Sequence, residues 1–407
     1  MNPLTTETVK YQRKELELKA LLEITQAINE NKTESVLLNI FKFTCLVHLN
    51  IKSMVLYVAS GGKFDLRISH NVKGKIPQII PQDAVVENKA LGKLSLTLSE
   101  DYSFSEIDIY VPVYHKDKML AILLLKRKDE SSELDLNFTQ ALTNILVVAL
   151  ENKRFARRQL EEERLRREIE IASNVQRMLF PSKLPQTDNL NAKVTYIPHS
   201  TVGGDYYDLI QKSPDEVFFC IADVSGKGMP AALLMSNFQA ALRTLLRSSS
   251  DLKMIVEQLN FTTFDNTQGE RFITFFLGYY NYKTKSLSYV NAGHNPPILC
   301  RDDARGEPEL LEAGTTILGA FESLPFLETG FRTDLNKFTL HLYTDGLTET
   351  MNPADEEYGD EKFTEFIKTN SYDDPTVFHS RFFDELDSYS QGQPKCDDIT
   401  LLSIKFN

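Results

Sequence analysis

Long apolar runs are missing from this chain. The longest, residues 119–125 and 145–150, are far too short to span a bilayer, which takes about 20 residues. The N-terminus is polar and has no apolar signal core. Cysteine is scarce: Cys45, Cys220, Cys300 and Cys396 lie far apart and match no zinc or redox spacing. Cys220 falls inside an apolar strand pattern, which reads as a buried, reduced thiol in a cytoplasmic protein. A basic excess is also lacking. With 45 Lys and Arg against 57 Asp and Glu, the net charge is −12, which argues against a nucleic-acid or anionic-membrane surface. The 407 residues suffice for two or three domains, each with its own core.

What the chain does have is aspartate at strand ends. Residues 205–211 (DYYDLIQ) and 216–224 (EVFFCIADV) flank Pro214 and Asp215 and read as one β-hairpin. If the turn centres on Pro214, partner numbers mirror about it and Asp205 faces Asp223. Like charges directly opposite in a sheet are destabilising, so two carboxylates there predict a cation between them. Residues 337–344 (KFTLHLYT) alternate like a half-buried strand and end in Asp345 and Gly346. Asp397 and Asp398 open a further strand over 399–406 (ITLLSIKF). An aspartate that ends one strand and another that begins its antiparallel neighbour share a sheet edge, so all these carboxylates can gather on one rim. The donors on offer are oxygens, without a His or Cys cluster, which favours Mg2+ or Mn2+. Several aspartates in one site point to two ions. Taken singly, each Asp also reads as a turn residue or solvated loop charge.

These residues carry a family resemblance. Val202-Gly203-Gly204-Asp205-Tyr206-Tyr207-Asp208, Ala222-Asp223-Val224-Ser225-Gly226-Lys227-Gly228-Met229-Pro230, Asn291-Ala292-Gly293-His294-Asn295-Pro296, Tyr343-Thr344-Asp345-Gly346-Leu347-Thr348-Glu349 and Asp397-Asp398-Ile399-Thr400 stand in the order seen in SpoIIE/RsbU-type phosphatases. That group is a signalling branch of the metal-dependent PP2C-like serine/threonine phosphatases. The likeness runs from about residue 168 to 407, and residues 171–185, with Gln176 and Leu179-Phe180-Pro181, resemble the family's lead-in segment. It implies an α/β/β/α sandwich and two Mn2+ or Mg2+ ions. One ion would be held by Asp205, Asp223 and the carbonyl of Val224. The other would be shared by Asp223 and held by Asp345 and one of the final pair, Asp397 before Asp398. The catalytic set implied is then Asp205, Asp223, Asp345 and Asp397. Asp208 reads equally as an outer ligand or a strand residue. Lys227 reads as a phosphate-facing or a turn-exposed cation, and His294 as a proton donor or a loop-packing residue. The Gly226-Lys227-Gly228 step fails as a P-loop, because Ile221 stands at the first glycine position and Gly228 where Ser or Thr belongs.

Upstream the texture changes near residue 150. Helical patterns over 15–29 and 34–49, a hairpin about Gly61-Gly62, a second hairpin pairing 108–114 with 119–125, and a helix over 134–150 together resemble a GAF sensor domain. Residues 151–170 interleave both signs of charge around a thin stripe of Phe155 or Ala156, Leu160, Leu165 and Ile169. Such a helix gains burial by pairing with a copy of itself in a short coiled coil, or stands alone on i,i+4 ion pairs. The class expected is α+β, with a GAF-like sensor domain (1–150), a helical linker (151–185) and a PP2C-like domain (186–407).

The function this implies is a phosphoserine/phosphothreonine phosphatase. Its substrate would resemble a phosphorylated anti-sigma-factor antagonist, its sensor domain would take a small-molecule or protein signal, and its linker would pair two copies. Two other classes stay open. A diguanylate cyclase shares the Gly203-Gly204-Asp205 turn but leaves Asp345 and Asp397-Asp398 unexplained, and a non-catalytic scaffold leaves the whole aspartate set without a purpose.

Overall fold

The computed structural model describes residues 3–82, 85, 107–116, 118–129, 134–302, 307–370 and 373–407. The chain divides into two compact units, Met1–Glu163 and Arg164–Asn407. Among the described residues no helix is long and apolar enough to cross a membrane.

The first unit contains α1 (Pro3–Asn29), α2 (Glu34–Val47) and strands β1 (Ile51–Ser60), β2 (Lys63–His70), β3 (Ile79–Pro81), β4 (Ile109–His115) and β5 (Lys118–Arg127). The strands form an antiparallel sheet in the order β3-β2-β1-β5-β4. The β1–β2 turn is the expected one. Ser60 pairs with Lys63, and Gly61 and Gly62 take φ of +56° and +79°, as a two-residue primed turn requires. Strand β1 is apolar over residues 54–59 because both its faces are covered there. Leu56 and Val58 join the helices on one side, Val55 and Tyr57 an apolar layer on the other.

The helix expected over 134–150 and the charged stretch after it are one element, α3 (Leu136–Arg177). Neither Gly nor Pro interrupts it, so nothing in the sequence stops the helix at residue 150.

The second unit holds two sheets. One is β13 (Gly314–Thr315), β10 (Ser286–Ala292), β9 (Ile273–Asn281), β8 (Glu216–Val224) and β7 (Tyr206–Ser213) in that spatial order, with β14 (Gly330–Arg332) also on β10. The other is β12 (Glu309–Leu310), β11 (Ile298–Arg301), β15 (Phe338–Tyr343), β16 (Ile399–Phe406) and β6 (Leu190–Ile197). The period-2 alternation sorts their side chains into three cores. Tyr207, Leu209, Phe219 and Ile221 meet Phe338, Leu340, Leu342, Leu402, Ile404 and Phe406 between the sheets. The opposite face of β8, with Phe218, Cys220 and Ala222, packs under α4 (Met229–Ser248) and α5 (Leu252–Thr267). Tyr343, Ile399 and Leu401 pack under α7 (Gly359–Asn370) and α8 (Pro375–Ser390). The result is four layers, helices outside and sheets inside.

Candidate metal centre

The β7–β8 register runs from Tyr206 opposite Ala222 to Gln211 opposite Val217, and a bulge then brings Ser213 against Glu216. All the pairs before the bulge mirror about Pro214. One step further places Asp205 opposite Asp223, as the sequence predicts. By parity both aspartates continue the face that carries Tyr207, Leu209, Phe219 and Ile221, so they sit where the inter-sheet core reaches its rim.

The other sheet arrives at the same rim. Strands β15 and β16 are antiparallel, with Tyr343 opposite Leu401, and the Thr344 amide donates to the Thr400 carbonyl at 3.1 Å. Thr344 and Thr400, both fully buried, therefore point inward. The Thr344 hydroxyl donates to Asp205 Oδ2 at 2.8 Å, and the Thr400 hydroxyl donates to the same oxygen. Asp345 opens the single-turn helix α6 (Asp345–Thr348) directly after β15. A Cβ on Gly346 would lie 2.2 Å from the Asp398 carbonyl oxygen, so only glycine lets α6 sit this close to the start of β16.

Asp398 and Asp397 face different partners. Asp398 Oδ1 accepts from the His199 amide and Oδ2 from the Gly204 amide, each at 2.7 Å. Asp397 Oδ1 accepts from the Asp398 amide at 2.8 Å, and its Oδ2 pairs with Lys227 Nζ, also at 2.8 Å. The Val224 carbonyl oxygen abuts Gly204: a Cβ there would be 2.8 Å from it and 3.4 Å from Asp223 Oδ1.

The electrostatics are those of crowded anions. Burial first, then the neighbouring Asp223, hold the Asp205 carboxyl well above the ordinary carboxylate range, although the two threonine hydroxyls oppose this. Asp223 is pushed up to about 7 by burial and by Asp345, Asp397 and Asp398, and shares a hydrogen bond with Asp205 that pulls the other way. Asp345 is raised by burial and by Asp397. Glu349, raised by burial and by Asp345, belongs to the same cluster. Glu349 stands in the Asp345 motif without a role marked by the sequence; its i,i+4 spacing from Asp345 across a helical turn is the available signal.

Among the described residues, no three Asp, Glu, His or Cys side chains form a ready-made ion cage. The contacts above account for this. Asp205 is engaged by hydroxyls, Asp398 by amides and Asp397 by an ammonium. The donor set is nevertheless chemically apt, since mutually repelling buried carboxylates with a backbone carbonyl alongside suit a hard divalent cation.

Two further residues resolve their alternatives, and Gln176 gains a contact. Asp208 is buried and bonded to Arg243 Nε at 2.8 Å, the Tyr206 hydroxyl at 2.6 Å and the Leu209 amide at 2.9 Å, so it serves an ion pair under α4. His294 is buried, its Nδ1 lies 2.8 Å from the Thr274 hydroxyl, and burial lowers it to about 4, which makes it a neutral packing residue. Gln176, in the last turn of α3, donates to the Gly203 carbonyl at 2.7 Å and so ties the lead-in segment to the Gly-Gly-Asp turn.

A SpoIIE family model (stage II sporulation protein E) matches residues 213–407. These residues form a SpoIIE-family domain. The match contains Asp223, Val224, Asp345, Asp397 and Asp398, while Asp205 lies just ahead of it. Phosphoserine phosphatase RsbU of Bacillus subtilis is 32% identical over 189 residues, 46% of this chain and 55% of that protein. Protein IcfG of Synechocystis is 27% identical over 269 residues, 60% of this chain and 42% of that protein. The chain thus spans about half the length of the curated relatives it matches. In fold, the SiaA-PP2C domain of Pseudomonas aeruginosa superposes with a TM-score of 0.54 at 19% identity, over 61% of this chain and 99% of that one. The SpoIIE-family domain therefore has the PP2C-like fold that its motifs imply.

Proposed function

We propose that this chain is a divalent-metal-dependent protein phosphatase acting on phosphoserine or phosphothreonine of a signalling protein. The observation that carries the reading is the shared rim, where Asp205 and Asp223 of one sheet meet Thr344, Asp345 and Thr400 of the other. It lies largely within the stretch that matches the SpoIIE family and resembles a protein named a phosphoserine phosphatase.

Asp205, Asp223 and the Val224 carbonyl would hold one Mn2+ or Mg2+, and Asp223, Asp345 and Asp397 a second. When bound, such ions supply Lewis acidity, which acidifies water and offsets phosphoryl charge. The chain's own residues position that chemistry. Thr344 and Thr400 orient Asp205, and Asp398 pins Gly204 so that β7 begins in register. We assign Asp397 rather than Asp398 as the ligand, because both Asp398 oxygens are committed to backbone amides.

The first unit fits a GAF-like sensor domain (1–150), followed by the linker (151–185) and the phosphatase domain (186–407). Phe155, Leu160 and Leu165 are more than half exposed on α3, which supports pairing with a second copy of the linker. Arg164–Glu168 at 3.1 Å and Arg166–Glu170 at 3.6 Å supply i,i+4 support within one helix. The proposed setting is cytoplasmic, with an anti-sigma-factor-antagonist-like phosphoprotein as substrate and a small-molecule or protein signal at the sensor domain.

The deciding experiment strips the purified chain with EDTA and assays phosphoserine-peptide turnover before and after Mn2+ is restored. Turnover should return with Mn2+ and be absent in Asp223→Asn. Turnover indifferent to the metal, or GTP consumption in its place, refutes the assignment.

A further inference from the structure

Lys227 is the cation at this rim. Its Nζ lies 2.8 Å from Asp397 Oδ2 and donates to the Cys396 carbonyl at 2.5 Å. Among the described residues no other lysine or arginine forms an ion pair with Asp205, Asp223, Asp345, Glu349, Asp397 or Asp398. The charge reaches beyond Asp397, because it partly offsets the crowding at Asp345 and at Glu349.

The loop that carries Lys227 is fixed on one side of it and open on the other. Ser225 is pinned three times: its amide donates to the Phe272 carbonyl, its hydroxyl accepts from the Phe272 amide, and its carbonyl accepts from Arg271 Nη1, each at 2.9 Å. Lys227 then stands between Gly226 and Gly228, whose φ values are +93° and +72°, and nothing lies within 4 Å of where a Gly228 Cβ would be. The lysine side chain is 51% exposed, against 32% for Asp397. An ammonium on a flexible four-carbon stem can leave Asp397 for solvent with little rearrangement.

We infer that Lys227 is a tethered counter-ion that occupies the second cation's place beside Asp397 and competes with it. This rests on the metal-dependent reading proposed above. Before that ion binds, the ammonium neutralises Asp397 and keeps the rim intact. Loading the ion releases Lys227 towards solvent, where an incoming phosphoryl group would arrive. The chain thereby weakens its own second site, which makes occupancy responsive to ion concentration.

The test is Mn2+ titration of the full chain by calorimetry, for wild type, Lys227→Met and Lys227→Arg. Removing the competing charge should tighten the weaker Mn2+ step by up to about fivefold, the scale of a partly exposed ion pair. The tighter step should stay unchanged, and Lys227→Arg should follow wild type. A second reading comes from melting curves. In EDTA, Lys227→Met should melt below wild type because Asp397 is left unpaired, and its gain on adding Mn2+ should be the larger. Equal or weaker second-ion binding in Lys227→Met, with two ions still bound by wild type, overturns the competition and leaves the metal reading standing. If wild type binds no divalent ion, the metal reading fails and this inference fails with it.

Discussion

Replacing Asp223 with asparagine should stabilise the ion-free chain while abolishing the metal chemistry proposed for it. Asp223 is mostly buried, and its carboxyl is pushed from 3.8 to about 7. A carboxyl raised on folding binds its proton more tightly in the folded chain. Its contribution is therefore full at low pH and is lost as pH rises from the unfolded value near 3.8 through about 7. A shift of about three units at about 1.4 kcal/mol each makes the ionised side chain cost about 4 kcal/mol at pH 8. Asp205 and Asp223 share a hydrogen bond, so the proton belongs to the pair, and the amide should recover most of that cost rather than all of it. At pH 5 the gain should shrink to about 2 kcal/mol or less, because wild type is then largely protonated there. Buried histidines titrate alike in both proteins and cancel from the difference. The chain has two units, so a local readout is needed. Hydrogen exchange of the 206–224 amides in EDTA should be slower in Asp223→Asn at pH 8, by up to roughly a thousandfold. Saturating Mn2+ should reverse the order by protecting wild type alone. Equal or weaker protection of the variant in EDTA at pH 8 would refute the electrostatic account of the rim.

Other substitutions separate neighbouring roles. Asp398→Ala removes the acceptor of two backbone amides and should cost about 2–3 kcal/mol in urea unfolding of the SpoIIE-family domain, with turnover falling as β7 loses its start. Arg243→Met leaves Asp208 buried without its cation and should destabilise by about 2 kcal/mol, while calorimetric Mn2+ affinity stays at the wild-type value. His294→Gln should leave the shape of the pH–rate profile unchanged, since that ring is already neutral above about pH 4. Leu160→Glu combined with Leu165→Glu should halve the mass seen by light scattering if the linker pairs copies, and an unchanged mass would refute that pairing.

The hairpin register was legible because a single proline fixed the mirror, and the alternation in 216–224 left one way to bury Phe219 and Ile221 together. The same alternation in 337–344 and 399–406 located Asp345 and Asp398 at a common sheet edge. What could not be read was the commitment of individual side chains. Asp397 and Asp398 are adjacent and chemically identical in the sequence, yet one faces an ammonium and the other two amides, and that difference depends on where Gly204 lies in space. Asp208 shares a motif with Asp205 but lies on β7 within reach of Arg243, 35 residues onward. Both 134–150 and 151–170 read as helical, but the change there from apolar face to interleaved charge is a change of composition within one helix, α3, and not a boundary between two. Nothing in the backbone chemistry of 136–177 requires one.

Strand β16 is the middle partner of β15 and β6, and the carboxylate just before it clasps the turn that leads into β7. Residues 190–390 can all have left the ribosome while the centre is still missing a wall. A nascent chain therefore carries its acidic residues unassembled until the segment around 397–406 emerges, so the rim would close abruptly, in a single step, once that segment joins.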